Sequence, residues 1–205
     1  GGTLTRLGAE SLAVDAGAGG HVILSGAVDL GTGSLTITKA NAVSLNSTVK
    51  VGAFTQTDGS GTTTFKDVLS ATGNFTFTGQ SLTLEAAGNT VGGFMKVANA
   101  SAFRTLDGAD VTVGNAFEQL GAGTTQLGAD LTSNSGHLTF TAAVTLDSSS
   151  SIQLSSGGAS NDNIVFLSSV TSSANESWTL DAGASGNVDV DGAIHLGTGN
   201  LTVAD

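Results

Sequence analysis

The feature that most constrains this chain is a run of three-residue cores of the form apolar-x-apolar. From residue 138 onward they are Leu138-Thr-Phe140, Val144-Thr-Leu146, Ile152-Gln-Leu154, Ile164-Val-Phe166, Val170, Trp178-Thr-Leu180, Val188-Asp-Val190, Ile194-His-Leu196 and Leu201-Thr-Val203. Alternation with period two buries one side of an extended strand and leaves the other in water. The starts group by threes, 138/144/152, 164/170/178 and 188/194/201, so three short strands recur every 24 to 26 residues. That rhythm predicts an all-β chain coiled as a single parallel β-helix, a β-solenoid with about three short strands per coil and roughly eight to nine coils. A two-sheet sandwich also uses many short strands. It fits less well, because the short step of six residues recurs and no hairpin-type Asn-Gly or Asp-Gly pairing pattern dominates.

Residue types support the strand reading. Thr, Val, Ile and Phe fill the cores, while Gly, Asn, Asp and Ser fill the gaps where a coil turns its corners. The 30 Gly residues serve those corners, and the complete lack of Pro leaves every backbone N–H free to pair with the coils above and below. Earlier cores, at Val22, Val28, Leu35, Val43, Val49, Phe75, Leu82, Val111 and Phe117, are spaced less evenly. The least regular stretch, from Gly92 to Phe103, is expected to hold a bulge or a side loop. Phe54, Phe65, Phe94 and Phe103, in the irregular middle of the chain, are expected to be core residues that fill a widened coil.

Charged residues make up only 11% of the chain against roughly 25% in ordinary domains. A hydrophobic fraction of 39% excludes a disordered chain. The net charge of -11 and the scatter of the six basic residues argue against nucleic acid as a partner. No apolar run reaches the roughly 18 residues of a membrane span, so membrane insertion is not expected. Without Cys there is no disulfide and no thiolate metal ligand.

A second, longer period lies over the first. Residues 11–38, SLAVDAGAGGHVILSGAVDLGTGSLTIT, align without a gap to residues 177–204, SWTLDAGASGNVDVDGAIHLGTGNLTVA, and 15 of the 28 positions are identical. Apolar positions stay apolar, as at Val14/Leu180, Val28/Ile194 and Ile37/Val203, and the register extends back to Glu10/Glu176. The chain therefore reads as one continuous solenoid over 1–205, in which 1–166 is one long unit and 167–205 opens a second copy. Seven coils in 166 residues would give a rod of roughly 34 Å per unit at about 4.8 Å per coil.

The runs Gly73-Asn-Phe-Thr-Phe-Thr78, Ser81-Leu-Thr-Leu-Glu-Ala-Ala-Gly88 and Ser135-Gly-His-Leu-Thr-Phe-Thr-Ala142 resemble the G-x-L-T-L-x-A-x-G units of filamentous-haemagglutinin-like and autotransporter-type surface adhesins of Gram-negative bacteria. The resemblance implies a right-handed β-helix, export across the outer membrane and service in adhesion, aggregation or biofilm. The family's secretion-recognition motifs, of NPNG and NPNL type, have no counterpart in a chain without Pro, so the resemblance points to an internal stalk or repeat segment.

Parallel β-helices also include polysaccharide lyases and hydrolases, which need carboxylates held roughly 5 to 9.5 Å apart. The best cluster is Asp189, Asp191 and His195, with outward-pointing Asp189 and His195. The equivalent places in the first copy hold Ile23, Ser25 and Asp29, so these residues read as a solvated face. Arg6, Arg104 and four Lys are too scattered to supply a lyase base. Gly157 to Val165, GGASNDNIV, nearly matches the calcium nonapeptide G-G-x-G-x-D-x-U-x, but Ser160 replaces the third Gly and no neighbouring copy follows. A plain loop before the Ile164 strand is the expectation. Outward Thr36, Thr76, Thr83, Thr139 and Thr202 could form a flat ladder of the ice-binding type, although β-propensity on a solvent face accounts for them. Trp178 replaces Leu12 of the first copy and so marks a core position. The sequons at Asn46, Asn74, Asn99, Asn175 and Asn200 follow from composition.

The expected function is that of a structural and adhesive repeat segment, a rod-like stalk of a large bacterial surface or secreted protein, extracellular or at the cell surface. Its partners would be neighbouring repeats, end-to-end copies, or cell-surface glycans or proteins. A self-assembling filament or matrix subunit is the first alternative and a polysaccharide-active β-helix enzyme the second. No catalytic residue, cofactor or metal site is expected.

Overall fold

Three strands per turn, stacked turn upon turn with parallel register, make up the described part of the chain. The computed structural model describes residues 2–5 and 9–204, and among these no helix occurs. Arg6, one of the scattered basic residues, lies outside them.

Each turn visits three faces. Face I carries Leu12–Asp15, Ser34–Lys39, Ala53–Gln56, the first halves of Phe75–Leu84 and Met95–Thr105, then Phe117–Gln119, Leu138–Phe140, Ile164–Phe166 and Val188–Val190. Face II carries His21–Leu24, Ala42–Leu45, Thr62–Phe65, the second halves of the same two long strands, then Thr124–Leu127, Val144–Leu146, Val170–Ser172 and Ile194–His195. Face III is a separate ten-stranded sheet that runs from Leu4–Thr5 through Val28–Asp29, Val49–Val51, Leu69–Ala71, Asn89–Val91, Val111–Val113, Leu131–Ser133, Ile152–Ser155 and Trp178–Asp181 to Leu201–Ala204. Ten strands on one face span about nine turns. Leu138, Val144 and Ile152 start strands on faces I, II and III in that order, as the triplet spacing predicts.

The inward residues form ladders along the axis. Phe54 stacks on Phe75 with centroids 4.8 Å apart. A second column runs Phe103, Phe117, Phe140, Phe166 and Trp178, each ring within 5.6 Å of the next. Trp178 is a core residue at 1% exposure and meets Phe166 edge to face. Its indole N–H has no hydrogen-bond partner.

The uneven spacing of the middle coils has a specific cause. Several inward positions there are polar: Gln56, Thr63, Asn89, Asn99, Gln119 and Thr125 are all buried. An apolar-x-apolar search passes over them. Most are satisfied internally, as a low-dielectric interior demands. Gln119 Nε2 donates to Asn99 Oδ1 at 2.8 Å and to the Gly121 carbonyl at 2.7 Å, while Gln119 Oε1 accepts from the Thr141 and Ala142 backbone N–H groups, each at 3.1 Å. Thr63 likewise donates to Gln56 Oε1 at 2.7 Å.

The irregular stretch contains a bulge and no side loop. Met95–Thr105 is one unbroken strand, and its register against Phe75–Leu84 slips by one residue between the Gly79/Asn99 and Ser81/Ala102 pairs. Phe94 departs from the expectation of a core ring. It sits half-buried just before that strand, with the Lys96 ammonium 5.1 Å from its ring centroid, whereas Phe54, Phe65 and Phe103 are fully buried.

Corners are tight where face III turns into face I. A Cβ built on Gly52 would lie 1.9 Å from the Thr32 carbonyl oxygen of the turn beneath, and one on Gly114 would lie 2.0 Å from the Gly92 oxygen. Only Gly lets these turns approach at the strand spacing.

Candidate functional site

An open groove of about 590 Å³ lies along the corner between faces II and III, lined by Glu85, Arg104, Leu106, Asp107, Asp147, Ser148, Ser149, Ser173, Ala174 and Glu176. Its acids follow from the coil rhythm. Glu85, Asp107 and Asp147 each come directly after an apolar residue that closes or follows a face II strand, Leu84, Leu106 and Leu146. Acids 22 and 40 positions apart in sequence are thereby brought to the same corner of the stack.

The groove is held by polar contacts across turns. Arg104 Nη2 meets Asp147 Oδ2 at 3.3 Å. Ser148 donates to Asp107 Oδ1 at 3.0 Å and Ser149 donates to Asp107 Oδ2. Ser173 donates to Asp147 Oδ1 at 3.2 Å and to Glu176 Oε1 at 3.0 Å. The Ala174 N–H and the Ser172 hydroxyl donate to Glu176 Oε2.

These contacts set the charge state. Burial pushes the Glu176 carboxyl up, but donation from the Ser172 hydroxyl, the Ala174 and Glu176 backbone N–H groups and the Ser173 hydroxyl outweighs it and holds the group at about 2. The Ser149 and Ser148 hydroxyls lower Asp107 in the same way. Both groups are therefore ionised at neutral pH and serve as hydrogen-bond acceptors. On face I, Lys96 and then His137 hold Glu118 below the usual carboxylate range, at 2.9 Å and 3.1 Å.

The cluster weighed from sequence is not brought together in this groove. Asp189 stands on face I beside Val165, His195 stands on face II beside Thr171, and Asp191 lies at the corner between them, all three exposed. The calcium-like segment folds as a closed loop: Asp162 Oδ2 accepts from the Ala159 N–H at 3.0 Å, and Ser156 Oγ donates to the Asp162 carbonyl. Among the described residues no group of three or more His, Asp or Glu is placed to hold a metal ion.

The five outward threonines do not share a ladder. Thr36, Thr76 and Thr139 are on face I, where Lys96 and Glu118 interrupt the row; Thr83 is on face II and Thr202 on face III. A shorter hydroxyl row does form on face III, where Ser70, Thr90, Thr112 and Thr132 are successive register partners.

Sequence reasoning missed the Arg104–Asp147 pair and the serine-bound carboxylates. Their one signal was the recurrence of an acid just past a face II core, visible only once the faces are assigned. The chain matches no protein-family model, no curated protein and no solved structure.

Proposed function

We propose that this chain is a structural and adhesive repeat segment, a rod-like stalk of a large bacterial surface or secreted protein that acts outside the cell in adhesion, aggregation or biofilm. The observation that carries the reading is the return of residues 11–38 at 177–204 inside one uninterrupted stack of turns. A fold that grows only along its axis, at about 4.8 Å per turn, converts added repeats into length. Nine turns correspond to roughly 43 Å of rod. The acceptor-rich groove along the II/III corner is suited to hydroxylated partners such as cell-surface glycans. Electron microscopy of the parent protein tests the proposal: extended rods support it and compact particles contradict it.

Self-assembly into a filament or matrix is the second reading. It would extend the same parallel pairing that joins successive turns, such as Trp178–Asp181 with Leu201–Ala204, since unpaired strand edges template further pairing. Growth of scattering mass with concentration supports it, and a monodisperse monomer at high concentration contradicts it.

A further inference from the structure

Residues 166 apart have the same local geometry but stand on different faces. Gly17 and Gly183 both adopt positive φ, +73° and +66°, and each N–H is bound by the Asp two residues before it, Asp15 Oδ1 at 2.9 Å and Asp181 Oδ1 at 3.0 Å. Gly33 donates to the Leu30 carbonyl and Gly199 to the Leu196 carbonyl, both at 2.9 Å. Yet Leu12 pairs with Leu35 on face I, whereas its equivalent Trp178 pairs with Ile152 and Leu201 on face III.

The offset follows from counting turns. Along face I the chain steps from Leu12 to Leu35, Phe54, Phe75, Met95, Phe117, Leu138 and Ile164, which is seven turns. From Ile164 it passes Val170 on face II and reaches Trp178 on face III, two-thirds of a turn further. The unit is therefore seven and two-thirds turns and about 37 Å long at the strand spacing, where the sequence rhythm predicts seven turns and roughly 34 Å.

The last described turn differs in burial from its equivalent inside the stack. Leu201 and Val203 are bare, while their equivalents Leu35 and Ile37 are 0% exposed. Leu35 and Ile37 are covered because Phe54 and Gln56 of the following turn pair with them. The same relation holds at Val28, which is buried under Val49, and its half-buried equivalent Ile194.

We infer that, where copies of this unit follow one another in a chain, each copy is rotated by two-thirds of a turn relative to the one before, the copy opened at residue 167 continuing in the pairing that residues 42–56 make with 21–37 in the first. Equivalent surfaces then return to the same face only at every third unit, after 23 turns and about 110 Å. The groove holding Arg104 and Asp147 points in three directions along the rod, so lateral partners are met from all sides. The inference rests on the reading of the chain as part of a repeated array.

The test is a chain in which residues 40–205 are appended after Asp205. Hydrogen exchange at Leu201–Ala204 is expected to slow by at least about 100-fold relative to the 205-residue chain. Leu201→Asp is expected to change little in the shorter chain and to split unfolding of the longer one into two transitions. A crystal or electron-microscopy structure of the longer chain reads the rotation directly, with 240° and about 37 Å between units expected. Unchanged exchange at that edge, a hinge between units, or equivalent residues on one face overturns the inference. Compact parent particles combined with a protected, rotated junction would remove the stalk reading and leave this one standing.

Discussion

Phe140 and Phe166 lie one turn apart with ring centroids 4.9 Å from each other and planes only 2° apart. Each is also in contact with a further ring, Phe117 on one side and Trp178 on the other. Register between turns is thus fixed by side chains as well as by the backbone ladder. Phe140→Ala would remove the centre of this column at a position with no exposure. A loss of about 3 to 5 kcal/mol is expected in chemical denaturation. Phe94→Ala, at the half-buried ring beside Lys96, should cost about 1 kcal/mol or less. Equal losses at the two sites would contradict the assignment of core and surface.

The corner glycines make a sharper contrast. A methyl group on Gly52 would collide with the Thr32 backbone, whereas one on Gly19 meets nothing within 4 Å. Gly52→Ala is expected to destabilise by about 1 to 3 kcal/mol, the usual range for overpacking, while Gly19→Ala should be close to neutral or slightly stabilising. Thermal melting of the two variants side by side checks this. A neutral Gly52→Ala would mean that the turns are not packed at strand spacing at that corner.

Gln119 should behave as a structural hub despite being polar. Leucine in its place would leave Asn99 Oδ1 and the Ala142 N–H without the partners they now have, and would remove one of the two partners of the Thr141 N–H and of the Gly121 carbonyl. Each buried group left unpaired costs about 1 to 3 kcal/mol, so Gln119→Leu is expected to be strongly destabilising even though it adds apolar volume. A stabilised variant in urea denaturation would show that the amide is dispensable.

These same inward amides explain how far the fold could be read in advance. From Leu138 to Val203 nearly every inward position is apolar, and the triplet spacing assigns each strand to its face. Between Ala53 and Ser133 the inward sites include Gln56, Asn89, Asn99, Gln119 and Thr125, residues that hydropathy places outside. The Phe75–Leu84 and Met95–Thr105 strands also run unbroken through a corner, the first across Gly79 and the second with no Gly at all, which blurs the punctuation between faces I and II. The groove was less legible still. Arg104 and Asp147 are 43 positions apart, and only the number of residues in each intervening turn decides that they meet.

Glu176 provides a pH signature. Its folded value of about 2 lies below the ordinary value of 4.5, so the fold favours the ionised form. Its contribution is present in full above about pH 4.5, fades as pH falls, and is lost as pH passes through about 2. The difference in denaturation midpoint between the natural chain and Glu176→Gln should therefore be greatest near about pH 6 and shrink toward about pH 2. A difference that does not vary with pH would mean that the Ser172, Ser173 and Ala174 donors do not act on a carboxylate.

The stacking of turns can be measured with pairs of spin labels, since the chain has no Cys of its own and labels attach only where Cys is introduced. Thr36, Thr55, Thr76, Lys96, Glu118, Thr139, Val165 and Asp189 are successive register partners on face I. With one label at Thr36→Cys and the second in turn at Glu118→Cys, Thr139→Cys, Val165→Cys and Asp189→Cys, double electron–electron resonance should give distances of about 19, 24, 29 and 34 Å. The even increment of about 4.8 Å per turn is the result the three-faced solenoid predicts. Distances that fail to rise in equal steps, or that fall between successive pairs as strands of a sandwich fold back on themselves, would contradict it.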